Sequence, residues 1–260
     1  MKIAFITLSK EGVALMRMLK QAFPEADAYA HKIAGAGIEC ERFESVVELT
    51  KRIFTQYDGL VYIAPCGAVV RALAGNLVSK KTDPAVALMD VGGRHAISLL
   101  SGHEGGANDL AVMIANAVGA EPVITTTTEA VKSLIVGVGC KKDKSKEDIE
   151  KAINAALDKA GADSCDIRFF ASADIKSNER GLIEAAKSFG APIRFISSEE
   201  IRNCVREFEE SEFVKSKVNL PAVAEPSALL AGRRTSLILR RIKLNGVTVA
   251  IAKENCPSLG

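Results

Sequence analysis

Residues 45–64 read SVVELTKRIFTQYDGLVYIA, and this stretch decides the fold. Ser45 and Glu48 stand at the S-x-x-E spacing of a capping box, which opens a helix running to Phe54. Asp58-Gly59 then turns the chain into the apolar run Leu60 to Ala64, whose length and β-branched and aromatic content fit a buried strand. Upstream, Lys2 to Leu8 is a similar run, and Ser9 caps a helix with the apolar face Val13, Leu15, Met16 and Leu19. Ala28 to His31 supplies a further strand, followed by a loop holding Gly35 and Gly37. The order β-α-β-α-β is that of a parallel sheet wrapped by helices, so the class is α/β.

Downstream, Ala68 to Ala74 forms a short helix, and the strands Ala85 to Asp90 and His95 to Leu100 flank the turn Val91-Gly92-Gly93-Arg94. A helix over Asp109 to Val118 leads to a strand from Pro122 that ends in Thr125 to Thr128. The pattern restarts after Glu129 to Ser133, which gives two α/β domains, 1–130 and 133–260, with mostly parallel sheets. In the second, Leu134 to Val138 and Ile167 to Ala171 are strands. Ser145, Asn178 and the Ser197/Glu200 pair cap helices, and Asn245-Gly246 closes an antiparallel hairpin at the end.

Composition narrows the function. The 34 basic and 32 acidic residues leave a net charge of +2, without the excess a nucleic-acid binder carries, and 5% aromatics with no Trp give no stacking platform. Six scattered cysteines form no C-x-x-C pair and no zinc spacing, which predicts reduced thiols and a cytoplasmic protein. The N-terminus lacks the pattern of a signal peptide, and no apolar run approaches the roughly 18 residues of a membrane span. Gly137-Val138-Gly139 follows a strand, but Lys142 replaces the third glycine of a dinucleotide fingerprint. Neither a phosphate-binding G-x-x-x-x-G-K-[ST] loop nor a G-x-S-x-G elbow is present.

The strongest candidate site is Leu99 to Leu110, LLSGHEGGANDL. An imidazole (His103) and a carboxylate (Glu104) sit among glycines just before a helix, an arrangement that can hold an anion on backbone N–H groups and move a proton. The structural alternative is a tight turn capped by Asn108. The threonine run, if extended, sends two hydroxyls to each face. Cys66 and Cys140 lie at strand ends, where a lone cysteine is most often a small packing residue. Asp174, Lys176 and Glu225 follow strands of the second domain and read equally as site residues or as caps and ion pairs.

The stretches GGRHAISLLSGHEGGANDLAVMIANAVGAEPVITTTTEA, VGVGCKKDKSKEDIEKAI, ASADIKSNERGLIEAA and VAEPSALLA resemble the CbiG family, the cobalt-precorrin-5A hydrolases of anaerobic cobalamin (vitamin B12) biosynthesis. The C-terminal part also resembles CobE. Longer CbiG members carry a middle segment that is replaced here by the direct junction Ala130 to Ser133. The resemblance implies a hydrolase that opens the δ-lactone of a cobalt-precorrin tetrapyrrole and releases acetaldehyde to give cobalt-precorrin-5B. A non-catalytic carrier or chaperone of a corrinoid intermediate is the alternative. It further implies His103 or Glu104 as the base, with N–H groups around Gly105, Gly106 and Asn108 stabilising the oxyanion. Arg71, Arg94, Thr126, Thr127, Lys141, Lys142 and Lys176 are the expected contacts to the substrate. No cofactor and no protein-bound metal are expected, since the cobalt belongs to the substrate. Neighbouring pathway enzymes are the expected partners, with neither nucleic acid nor membrane involved.

Overall fold

The computed structural model describes residues 1–35 and 37–257, apart from the side chain of Phe213. It divides into two compact units, Met1–Thr126 and Thr127–Gly260. Among the described residues no helix is long and apolar enough to cross a membrane.

The first unit runs β1 (Ile3–Thr7), α1 (Lys10–Ala22), β2 (Asp27–His31), β3 (Glu41–Phe43), α2 (Val46–Ile53), β4 (Gly59–Ile63), α3 (Cys66–Leu73), β5 (Ala85–Met89), β6 (His95–Leu100), α4 (Ala107–Val118) and β7 (Glu121–Val123). Its seven strands lie in the order β3-β2-β1-β4-β5-β6-β7. Every residue of β1, β4 and β5 is buried, as expected of strands covered on both faces. Alternate residues divide between two cores: Phe5, Val61 and Ala87 meet α1 and α4, while Ile6, Tyr62 and Leu88 meet α2 and α3. The caps expected at Ser9 and Ser45 form, each hydroxyl accepting from an amide three residues on. The short strand β3 lies where only a loop is expected. Ala36, in the Gly35–Gly37 loop, lies outside the described residues.

One pairing breaks the parallel run. β6 is antiparallel to β5, with Met89 opposite Ala96 and Val86 opposite Leu100, and β7 then runs parallel to β6. The tight turn Asp90–Arg94 forces the reversal. Asp90 accepts from the amides of Gly92, Arg94 and His95, leaving no room for a crossover helix. Burial works against an ionised Asp90, but these amides and the Arg94 guanidinium outweigh it and hold the carboxyl below the usual range.

The second unit runs α5 (Thr127–Ala130), β8 (Leu134–Cys140), α6 (Lys146–Ala160), β9 (Ile167–Ala173), α7 (Arg180–Ser188), β10 (Ile193–Ile196), α8 (Ser198–Arg202), α9 (Glu212–Val218), α10 (Ala224–Leu230), β11 (Thr235–Leu244) and β12 (Val247–Glu254). Its sheet, β10-β9-β8-β12-β11, is mixed: β10, β9 and β8 are parallel, and the expected terminal hairpin β11–β12 adds two antiparallel pairings. Three local expectations change. Thr127 and Thr128 open α5 instead of extending a strand, so the threonines do not alternate between faces. The N-cap of α7 is Glu179, not Asn178. The Gly137-Val138-Gly139 sequence lies inside β8 instead of following the strand. A Cβ on Gly137 would come within 1.9 Å of the Ala224 carbonyl oxygen, so the glycine is what lets α10 lie directly on β8.

Candidate functional site

The SGHEGGAN turn joins β6 to α4. Ser101 takes a left-handed φ of 59°, and Gly106 caps α4 at φ 85°. The Ser101 carbonyl accepts from the Ala107 amide at 3.1 Å, and the Gly102 carbonyl accepts from the Asn108 amide at 3.0 Å. A Cβ on Gly105 would meet the Ser101 Cβ at 2.4 Å, and one on Gly102 would meet the Thr126 methyl at 2.5 Å. Two of the glycines are thus required by packing in the turn itself. The first two amides of α4 are spent, so an anion there has the Gly105 and Gly106 amides rather than those of Ala107 and Asn108. Asn108 is buried: Ser98 Oγ donates to its Oδ1 at 2.8 Å, and its Nδ2 donates to Thr126 Oγ1 at 2.9 Å. Asn108 and Thr126 therefore brace the turn against β6 rather than facing a ligand. His103 is exposed, as are Glu104 and Thr127, and Lys80 Nζ lies 3.1 Å from Glu104 Oε1.

Because β6 is reversed, its carboxyl end lies at the rim where β1, β4 and β5 begin. SGHEGGAN follows the carboxyl end of β6 but lies across the sheet from the carboxyl rim of β1, β4 and β5. That rim carries Arg71 and Arg94 instead. Arg71 Nη1 reaches back to the Gly67 carbonyl at the start of α3, and Arg94 pairs with Asp90 at 3.2 Å. The six residues of β6 separate Arg94 from the His103 turn by about 20 Å. Neither arginine joins His103 in one site within this unit.

The second unit gathers its expected cations. β8 ends at Cys140 and is followed by Lys141 and Lys142, and Lys176 follows β9 one strand over. β12 sets Val247 opposite Cys140, which brings the Asn245-Gly246 turn to the same rim. These residues line a cavity of about 700 Å³, within the range of small-molecule sites. Lys217 of α9 and Arg241 and Lys243 of β11 line it too, with Val214, Val218, Val223 and Leu244 as apolar wall. The cavity sits at the carboxyl ends of parallel strands, beside the point where pairing changes to antiparallel.

The sequence did not point to Lys217, Arg241 or Lys243, since none follows a parallel strand. The nearest signal was the Asn-Gly turn two residues after Lys243. Within the cavity, Lys176 pairs with Glu179 at 3.0 Å, and Arg241 donates to the Glu209 and Glu210 carbonyls. Glu225 is almost fully buried and accepts from the amides of Glu209 (2.7 Å) and Arg241 (2.8 Å), so it clamps the wall and is not positioned to move a proton. Asp174 accepts from the amide and the hydroxyl of Ser198, at the start of α8. Burial pushes the Cys140 thiol up, Lys176 and Lys144 only partly offsetting it, so Cys140 is not a ready thiolate nucleophile. Among the described residues no three His, Cys, Asp or Glu side chains form a metal-binding group.

Two family models match in chain order: Cobalamin synthesis G N-terminal over residues 48–129 and Cobalamin synthesis G C-terminus over residues 134–252. The cobalt-precorrin-5A hydrolase of Priestia megaterium is 25% identical over 352 aligned positions, covering 96% of this chain and 94% of that protein. That of Salmonella typhimurium is 25% identical over 342 positions, covering 96% and 97%. Both alignments are longer than the chain's 260 residues, so each relative carries sequence with no counterpart here. Protein CobE of Sinorhizobium sp is 32% identical over 128 residues, 48% of this chain and 83% of CobE. With both domains matched in order and nearly the whole of two relatives aligned, the chain belongs to the CbiG family of cobalamin synthesis proteins.

Proposed function

We propose that the chain is a cobalt-precorrin-5A hydrolase, which opens the δ-lactone of its tetrapyrrole substrate, releases acetaldehyde and leaves cobalt-precorrin-5B. The observation that supports this reading most directly is the cavity of the second unit, where lysines and an arginine surround an apolar wall. A corrin precursor is an apolar ring fringed with carboxylates, and charge-assisted hydrogen bonds from Lys141, Lys142 and Lys176 suit that fringe. Lactone opening requires a base to activate water and donors for the tetrahedral oxyanion. His103 is the candidate base, with Glu104 beside it. The Gly105 and Gly106 amides, next to the positive end of α4, are the donors. No cofactor enters this scheme, and cobalt arrives with the substrate.

Incubation of the purified chain with the cobalt-precorrin lactone, following acetaldehyde, tests the reading. We expect acetaldehyde from the wild type and a fall of about a hundredfold in kcat for His103→Ala, the order of magnitude of a lost general base. Undiminished release from both His103→Ala and Glu104→Gln would remove the base from this turn. Tight tetrapyrrole binding with no acetaldehyde from the wild type would favour the carrier reading.

A further inference from the structure

We propose that residues 203–223, with α9 at their centre, form a lid over the cavity of the second unit, and that Lys217 is the cation with which the lid grips a carboxylate of the ligand. The proposal rests on reading that cavity as the tetrapyrrole site. None of the described side chains of α9 is buried, whereas α8 buries Ile201 and α10 buries six of its seven residues. A seven-residue helix with no buried residue among its described side chains draws little stability from them, and little from its own hydrogen bonds. Its ends, by contrast, are fixed. Upstream, Glu225 holds the Glu209 amide, and the Arg241 guanidinium holds the Glu209 and Glu210 carbonyls. Downstream, the Ser211 amide bonds the Pro221 carbonyl at 2.7 Å, closing the base of the loop, and Leu220 is fully buried.

The face that α9 turns to the cavity is Val214, Lys217 and Val218, the i, i+3, i+4 set of one helical face. Lys215 has an acidic partner, Glu210. Lys217 makes no ion pair among the described residues. An amphiphilic anion in the cavity gives both valines something to bury against and gives Lys217 a charge to pair. Those are interactions that the described side chains of α9 lack, so occupancy should order it.

Hydrogen exchange on the full-length chain tests this, with uroporphyrin, an eight-carboxylate tetrapyrrole, as probe and its octamethyl ester as uncharged control. Uroporphyrin should slow exchange across 211–219 about tenfold, and the ester should not. Lys217→Gln should weaken uroporphyrin binding about three- to tenfold, while Lys215→Gln changes it less than twofold. Binding that leaves 211–219 exchanging at the free rate would overturn the lid while sparing the cavity assignment. Equal affinities for wild type and Lys217→Gln would overturn the role of Lys217. No uroporphyrin binding at all would overturn the cavity assignment and the lid with it.

Discussion

Gly137 and Asn108 show how much of each unit hangs on one side chain or on the lack of one. Gly137→Ala drives a methyl group into the Ala224 carbonyl, and relief requires α10 to lift from β8. We expect a loss of about 3 kcal/mol in urea unfolding, the upper end of ordinary overpacking costs. Because Ala224 and Glu225 also line the cavity, tetrapyrrole affinity should fall as well. Asn108→Ala strands the Ser98 and Thr126 hydroxyls, at a cost of about 1–3 kcal/mol by the same measurement. Both residues were visible in the sequence, but with other meanings. Gly137 read as a glycine following a strand, in an incomplete dinucleotide fingerprint, and Asn108 as a cap or anion contact, because a motif records spacing and not which distant element presses against it.

Elements whose signals are local were legible. Ser45, Ser145 and Ser197 each accept from an amide three residues on, and Ser197 with Glu200 completes a reciprocal capping box. Asn245-Gly246 specified its hairpin through left-handed φ values of 50° and 80°. The direction of β6 was not legible. Strand composition is the same for parallel and antiparallel pairing, and only the shortness of the Asp90–Arg94 connection hinted at reversal. That turn has a pH signature. The Asp90 carboxyl titrates lower folded than unfolded, so its stabilisation is complete above about pH 4 and fades as pH falls through the lowered value. Asp90→Asn should therefore lower the melting temperature more at pH 7 than at pH 2.5. An equal loss at both pH values would show that hydrogen-bond geometry, not charge, holds the turn.

At the scale of the molecule, the cation-lined cavity falls within 127–260, whereas the proposed base His103 falls within 1–126. Kinetics should separate them. The double change Lys141→Gln, Lys142→Gln should raise KM about tenfold with kcat nearly unchanged, since it removes binding shared by ground and transition states. Its effect should shrink in 0.5 M salt, where exposed ion pairs are screened. The sequence supplied three of the cavity's cations because lysines after parallel strands sit at the carboxyl rim. It missed Lys217 and Lys243 because α9 and β11 reach that rim from far along the chain.

The reversal of β6 carries a consequence for mutational coupling. It places His103 and Arg94 at opposite rims of one sheet, about 20 Å apart. Changes at the two should act as independent events. The free-energy effects of His103→Ala and Arg94→Ala should sum in the double variant to within about 0.5 kcal/mol. His103→Ala combined with Asn108→Ala, five residues apart in one braced turn, should depart from additivity by more than that.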